Sequence, residues 1–301
     1  MVERLNELSE ALAGAVAAAD AGVVRVDGGC RGATSGFVFG TNGLVLTTAH
    51  GIDGESALEV GFSDGESTSA ALVGRDASTD IALLRVGRND TSPFRPADDT
   101  KLRRGELVLA LARPGRGVRV ALGVVSALGD EYRTGRGGSV ERYIEPSLLA
   151  AAPHSGGPLL DAKGELVGMN TSGIARGTFL TLPHRTLARV AALLLEHGSV
   201  RRGFLGVSVH PVRLPKTLAA AVAQPYGLVV VGLEPGGAAE RDGVSIGDVL
   251  LSLEGTPLAS IPDLAAALAN RSDQPTRLVL ARGGASVELS VTPGARRPRR
   301  G

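Results

Sequence analysis

The sequence predicts a mainly β chain that ends in a smaller α+β module, on three observations. Short apolar runs recur at close intervals between residues 23 and 182, separated by Gly, Asn and Asp as in Thr41-Asn42-Gly43 and Ser63-Asp64-Gly65. Helical spacing of apolar residues in this part is confined to its two ends, residues 3–20 and 183–197. From residue 201 onward strand-like runs enclose two short helices, in a stretch of roughly 90 residues that suits one compact unit.

Length and composition agree. A chain of 301 residues exceeds one ordinary core and fits two or three packed units. A hydrophobic fraction of 43% excludes a largely disordered chain. With 32 basic and 31 acidic residues, there is no broad electrostatic case for nucleic acid, and none is expected as a partner. Cys30 is the sole cysteine, so neither an intrachain disulfide nor a thiolate metal cluster can form. Glu3, Glu7 and Glu10 interrupt the place where a leader's basic and apolar regions belong, and no apolar stretch approaches the ~20 residues that span a bilayer. The expectation from these features is a cytoplasmic protein without a membrane span.

Taken in order, Leu5, Leu8, Leu12 and Ala15 or Val16 stand near helical spacing, which predicts a short amphipathic helix; a trimer contact or a lid on the first barrel would both explain it. Strands are predicted at 23–26, 36–39, 44–48, 58–62, 71–73 and 81–86, as in a Greek-key barrel or sandwich. The Pro-containing stretch 89–104 reads as a connector. A second set follows at 107–111, 118–126, 142–145, 158–160, 166–170 and 178–182, with residues 135–138 as a flexible tip beside the site. Pro183 near the first turn and Gly198 as the stop bound a helix over 183–197. The last module carries strands at 205–209, 228–233, 249–253, 278–281 and 287–291, and helices near 238–242 and 261–269.

Three residues stand out inside this β pattern. His50 ends the apolar run Leu46-Thr47-Thr48-Ala49-His50, Asp80 opens the run Asp80-Ile81-Ala82-Leu83-Leu84, and Ser155 lies in the turn His154-Ser155-Gly156-Gly157-Pro158. Serine is a poor nucleophile until a base takes its proton, and the base needs a carboxylate to hold its tautomer. Paired glycines let backbone pass close to a substrate. Each residue alone reads as a turn or strand-end feature; the order His, Asp, Ser in one β-rich chain is that of chymotrypsin-type catalysis. His184, His197 and His210 lie at helix ends or beside Pro, and no metal is expected. Residues 232–237 are Gly-rich but lack the strand-then-helix phosphate pattern, so no nucleotide cofactor is expected.

The blocks Thr48-Ala49-His50, Thr79-Asp80-Ile81-Ala82-Leu83-Leu84 and Ser155-Gly156-Gly157-Pro158-Leu159 resemble those of HtrA-type (Deg family) trypsin-like serine proteases with one C-terminal PDZ domain. Gly123-Val124-Val125-Ser126, Gly164-Glu165-Leu166-Val167-Gly168-Met169-Asn170-Thr171 and Gly203-Phe204-Leu205-Gly206-Val207 extend the likeness over residues 22–293. The resemblance implies a chymotrypsin-like double β-barrel followed by an α+β PDZ domain. The segments would be an N-terminal helix at 1–21, a protease domain at 22–199, a PDZ domain at 200–294 and a basic tail at 295–301. It further implies His50, Asp80 and Ser155 as catalytic residues, homotrimers, and cofactor-free cleavage of unfolded or misfolded polypeptides after small aliphatic residues. Phe204, Leu205, Gly206 and Val207 match the family's carboxylate-binding loop, where backbone N–H groups capture a free C-terminus while the peptide adds as a strand. Leu264, Ala265 and Leu268 would form the other wall of that groove, and Pro225-Tyr226-Gly227 would bear on its edge strand.

One departure bears on activity. The oxyanion turn reads Pro153-His154-Ser155, and the residue two before the serine supplies one of the two donors. Proline has no N–H, so that donor is missing in any conformation. A retained triad favours a slow endopeptidase; Pro153 favours a pseudoprotease that binds peptides without cutting them or acts as a chaperone-like binding module. His154 is expected to face solvent.

Overall fold

The computed structural model describes residues 2–28, 32–52, 57–90, 92–148, 154–175, 178–200, 203–269 and 271–295. Cys30, Pro153 and residues 296–301 of the basic tail lie outside the described residues. The chain divides into two compact units, Met1–Val200 and Arg201–Gly301.

The first unit opens with α1 (Val2–Ala19) and continues through β1 (Val23–Asp27), β2 (Ala33–Val38), β3 (Leu44–Thr48), β4 (Leu58–Gly61), β5 (Ser67–Asp76) and β6 (Ile81–Val86). These six strands close into a barrel in the order β1-β2-β3-β6-β5-β4. Next come β7 (Leu107–Ala112), β8 (Arg119–Leu128), β9 (Tyr132–Arg133), β10 (Ser139–Val140), β11 (Ile144–Leu148), β12 (Pro158–Asp161), β13 (Leu166–Thr171), β14 (Leu180–Pro183) and α2 (His184–His197). The second sheet has the order β11-β8-β7-β12-β13-β14, and its edge strands β11 and β14 curl round to approach each other.

The apolar runs follow from burial on both strand faces. In β6, Ala82 and Leu84 point into the first barrel, while Ile81 and Leu83 join a second cluster with Phe37, Leu46, Leu109, Leu111, Leu160 and Met169. That cluster is built from both sheets and glues them together. Helix α2 covers it with Leu187, Val190, Ala191 and Leu194 on one face, and Gly198 ends the helix in the left-handed region at φ 70°. Leu12 and Val16 pack against the same cluster, whereas Leu5 and Leu8 are exposed, so only the C-terminal half of α1 is packed.

Two features differ from the sequence reading. Residues 135–138 are not a loose tip but the turn of the β9–β10 ribbon, pinned by Thr134. Thr134 Oγ1 donates to Ser78 O at 2.6 Å and accepts from Gly138 N at 3.0 Å. Strand β5 runs over Ser67–Asp76, far past the apolar core that marked it, because its outer face is polar and only the ladder to β4 and β6 defines it.

Arg113 locks the barrels. Its side chain is buried, yet Nε donates to Val23 O at 2.7 Å, an Nη to Arg116 O at 2.6 Å, and the other Nη to Asp20 O and Oδ1 at 2.8 and 2.7 Å. Its backbone N–H reaches Ser35 Oγ at 3.0 Å. A residue just past β7 thereby ties the second sheet to the first barrel's opening strands.

The second unit contains β15 (Gly203–Phe204), β16 (Val207–Arg213), α3 (Lys216–Val222), β17 (Tyr226–Leu233), α4 (Ala238–Arg241), β18 (Val249–Leu253), β19 (Thr256–Pro257), α5 (Ile261–Ala267), β20 (Thr276–Arg282), β21 (Ala285–Val291) and β22 (Gly294–Ala295). Its sheet order is β16-β17-β18-β20-β21, which leaves β16 as an edge. Helix α3 was not foreseen: seven residues give too short a pattern, and it is held by Leu218, Ala219 and Val222 against Leu214, Leu251 and Ala281. Helix α5 starts with a capping box between Ser260 and Asp263.

Arg113→Met should destabilise the first unit by about 3–5 kcal/mol in urea unfolding, because it orphans several buried acceptors. Asp20→Asn should cost no more than about 1 kcal/mol, since the Asp20 side chain is 39% exposed and solvent screens its pairing. Equal losses in the two variants would show that the ion pair, not the carbonyl clamp, carries the stability.

Candidate active site

His50, Asp80 and Ser155 converge where the two barrels meet. Asp80 sits between β5 and β6 with φ 61°, a left-handed conformation uncommon for a residue with a Cβ. The turn before it is held by Asp76, whose Oδ1 accepts from Ser78 N at 3.0 Å and Ser78 Oγ at 2.5 Å, and whose Oδ2 accepts from Thr79 Oγ1 at 2.8 Å. Asp80 O in turn accepts from Ala49 N at 3.1 Å.

The Asp80 side chain is 1% exposed, and its carboxylate is filled by three donors. His50 N donates to Oδ1 at 2.9 Å, while Oδ2 takes His50 Nδ1 at 2.7 Å and Thr171 Oγ1 at 2.5 Å. A carboxylate only accepts, so Nδ1 carries the proton and Nε2 is left as the basic nitrogen. The imidazole itself is 38% exposed. Thr171, at the end of β13, brings the second sheet's support to a pair made by the first barrel, and its Oγ1 also accepts from Gly173 N at 2.9 Å.

Ser155 belongs to the turn before β12 and is clamped from both sides. Thr34 Oγ1 donates to Ser155 O at 3.2 Å, and Ser172 N donates to Ser155 Oγ at 3.2 Å. Gly156 N donates to Asn170 O at 2.8 Å, and Asn170 N returns a bond to Gly157 O at 2.9 Å. The two glycines are required here. Gly156 has φ 85°, and a Cβ on it would lie 2.1 Å from Ser35 O; one on Gly157 would lie 1.9 Å from Leu111 O. His154 is buried at 2% exposure, which corrects the expectation that it faces solvent: the turn tucks it inward.

Sequence reasoning missed Thr171, Ser172, Gly173 and Thr34. The available signal was the polar Asn170-Thr171 pair closing the apolar run of β13. His184 packs its ring on Phe39 at 5.6 Å between centroids, and burial lowers its pKa below that of a free imidazole. Among the described residues no three His, Cys, Asp or Glu side chains are placed to hold a metal.

In the second unit, Gly203-Phe204 pairs with Gly294-Ala295, Leu205 is a core residue and Gly206 turns at φ 75° into the edge strand β16. Leu264 and Leu268 belong to the core, with Ala265 half buried. Pro225 precedes β17, the strand inside the edge, and its carbonyl accepts from Leu214 N, so it leaves β16 itself unbroken.

The fold is that of a trypsin-like serine peptidase domain followed by a PDZ domain. Sequence models for a trypsin-like peptidase domain and a PDZ domain match residues 34–169 and 229–282. A probable periplasmic serine protease, do/HhoA-like, of Haemophilus influenzae is 33% identical over 87% of this chain and 55% of its own length. A probable periplasmic serine endoprotease, DegP-like, of Halomonas elongata is 32% identical over 88% of this chain and 56% of its own. Solved structures of the HtrA-type protease AlgW with a tripeptide and with a decapeptide cover 96% and 95% of this chain and 98% and 99% of theirs. Their identities are 31% and 28% and their TM-scores 0.71 and 0.73. The chain belongs to the HtrA-type (DegP-like) serine protease family, and it spans about half the length of the curated relatives it matches.

The cytoplasmic expectation is corrected by the same comparison, since those curated relatives are named periplasmic. A single cysteine never fixed a compartment, because a domain held by an apolar core needs no disulfide in either. No described helix is long and apolar enough to cross a membrane.

Gly173 yields a test that leaves Ser155 and His50 themselves unsubstituted. A Cβ there would lie 2.3 Å from Asp80 Oδ2 and 2.7 Å from His50 Nδ1. Gly173→Ala should therefore displace the imidazole, slow the reaction of Ser155 with a fluorophosphonate by about 10², and lower the thermal midpoint, because the same buried carboxylate contacts are disturbed. Full reactivity would show that the segment yields to the methyl.

Proposed function

We propose that this chain is a serine endopeptidase that cuts unfolded or misfolded polypeptides, slowed by the loss of one oxyanion donor. The observation that carries it is the Asp80 carboxylate holding His50 Nδ1–H while Ser155 stands in the same cleft. In this reading His50 Nε2 takes the Ser155 proton as Oγ attacks the carbonyl carbon, Asp80 stabilises the resulting imidazolium, and His50 returns the proton to the leaving amine. Ser155 N–H stabilises the oxyanion alone, because Pro153 has no N–H to offer.

A second reading, a pseudoprotease that binds peptides without cutting, rests on Pro153 itself. The two part in one assay. Ser155 should react with a fluorophosphonate and the chain should degrade casein, and both should vanish in Ser155→Ala. Pro153→Gly should raise turnover of a peptide substrate by about 10²–10³, or about 2.7–4 kcal/mol, mainly in kcat. Absence of labelling and cleavage in both wild type and Pro153→Gly would establish the binding protein.

The proposal extends to partners. The edge strand β16, entered through Phe204, Leu205, Gly206 and Val207, supports capture of free C-termini by strand addition. Exposed Val2, Leu5 and Leu8 on α1 support a homotrimer contact. The segment bounds 1–21, 22–199, 200–294 and 295–301 are part of the same reading. With Ser155→Ala to prevent cleavage, a peptide ending in an apolar residue should bind more tightly as the free acid than as the amide; equal affinities would exclude carboxylate capture.

A further inference from the structure

A cleft of about 300 Å³ opens beside the His50–Asp80 pair, lined by residues 134–136 of the β9–β10 turn, residues 172–175 and Ser78. Its position ties it to the chemistry: Ser172 N–H rests on Ser155 Oγ, and Gly173 lies against His50 and Asp80. A peptide held at Ser155 and running beside residues 172–175 therefore passes the mouth of this cleft. Among the described residues of the lining, Arg136 is the one ionised side chain. Among the described residues its guanidinium makes a single hydrogen bond, to Ala77 O at 3.2 Å, and most of its five donors remain open. The lining hydroxyls of Ser78 and Thr134 are engaged with Asp76 and with Ser78 O. The carboxylates of the adjoining turn, Asp76 and Asp80, keep their charge but are hydrogen-bonded to donors of their own, and neither is paired with Arg136 in an ion pair among the described residues.

We infer that Arg136 makes this cleft a subsite for a carboxylate-bearing substrate side chain, on the flank of the scissile bond that runs along residues 172–175. The ribbon that carries Arg136 is fixed at its root by the buried Thr134, so the cation is presented at a set place rather than on a free loop. The inference deepens the peptidase reading and rests on it for turnover, though not for binding.

The test uses the full chain and C-terminally amidated peptides, which keep the PDZ module out of the measurement. A single Glu or Gln is walked through the positions on either side of the cut. On one flank Glu should be preferred over Gln by about 2–5-fold in kcat/KM at low salt, the range of an exposed ion pair, fading as salt rises. The preference should vanish in Arg136→Gln and invert in Arg136→Glu. In parallel, Ser155→Ala and Ser155→Ala with Arg136→Gln are titrated with the same peptides, reading the Glu-to-Gln ratio in Kd. Selective binding without any turnover would support the subsite and defeat the peptidase reading. The subsite is overturned if the Glu-to-Gln ratio is the same with and without Arg136, or if Ser155→Ala binds none of the peptides.

Discussion

Asp80 holds one carboxylate in a place where three separate parts of the chain must agree. Its left-handed backbone is stable because Asp76 satisfies the turn's own donors, and its side chain is then aimed into the inter-barrel cleft. A buried carboxylate without donors would cost several kcal/mol. The His50 backbone, the His50 ring and Thr171 supply them, and in doing so fix the imidazole tautomer and the register of β13 against the first barrel. Stability and the geometry of the candidate site are thus set by the same contacts.

The nucleophile turn meets the same junction from the other side. It fits only because Gly156 and Gly157 let backbone press against Ser35 and Leu111, one from each sheet. Ser35 is in turn held through its Oγ by the Arg113 backbone and through its carbonyl by Thr47 Oγ1 at 2.7 Å. A shift between the barrels would be felt at Arg113, at the glycines and at Asp80 together, which is how a two-barrel scaffold keeps residues far apart in sequence within bonding distance.

Against this supporting shell the proposed oxyanion turn would be the weak member. The His50 ring is oriented and Ser155 is seated, while in the proposed mechanism Pro153, having no N–H, would leave one donor missing for charge that exists only in the transition state. Such a loss would bear on the transition state and not on the ground-state contacts, so the proposed slow reaction is compatible with a well-formed His50–Asp80 pair.

Much of this was legible in the chain itself. Runs such as Leu44–Thr48 and Ile81–Val86 announce buried strands because both faces are covered, and the order His50, Asp80, Ser155 with its paired glycines announces the chemistry. The absent N–H at Pro153 is covalent fact and needs no coordinates. Tertiary structure alone decided the rest. Thr171 looks like any strand-end threonine until β13 is laid beside Asp80, and Arg113 looks like a surface arginine until two sheets close over it. The ribbon at Tyr132–Arg133 and Ser139–Val140 is too short for periodicity to reveal, and the helix Lys216–Val222 too short to stand without its core partners. Local pattern reports which face of a segment is apolar; which segment that face meets is set by long-range packing, and the site's supporting residues are defined only by that meeting.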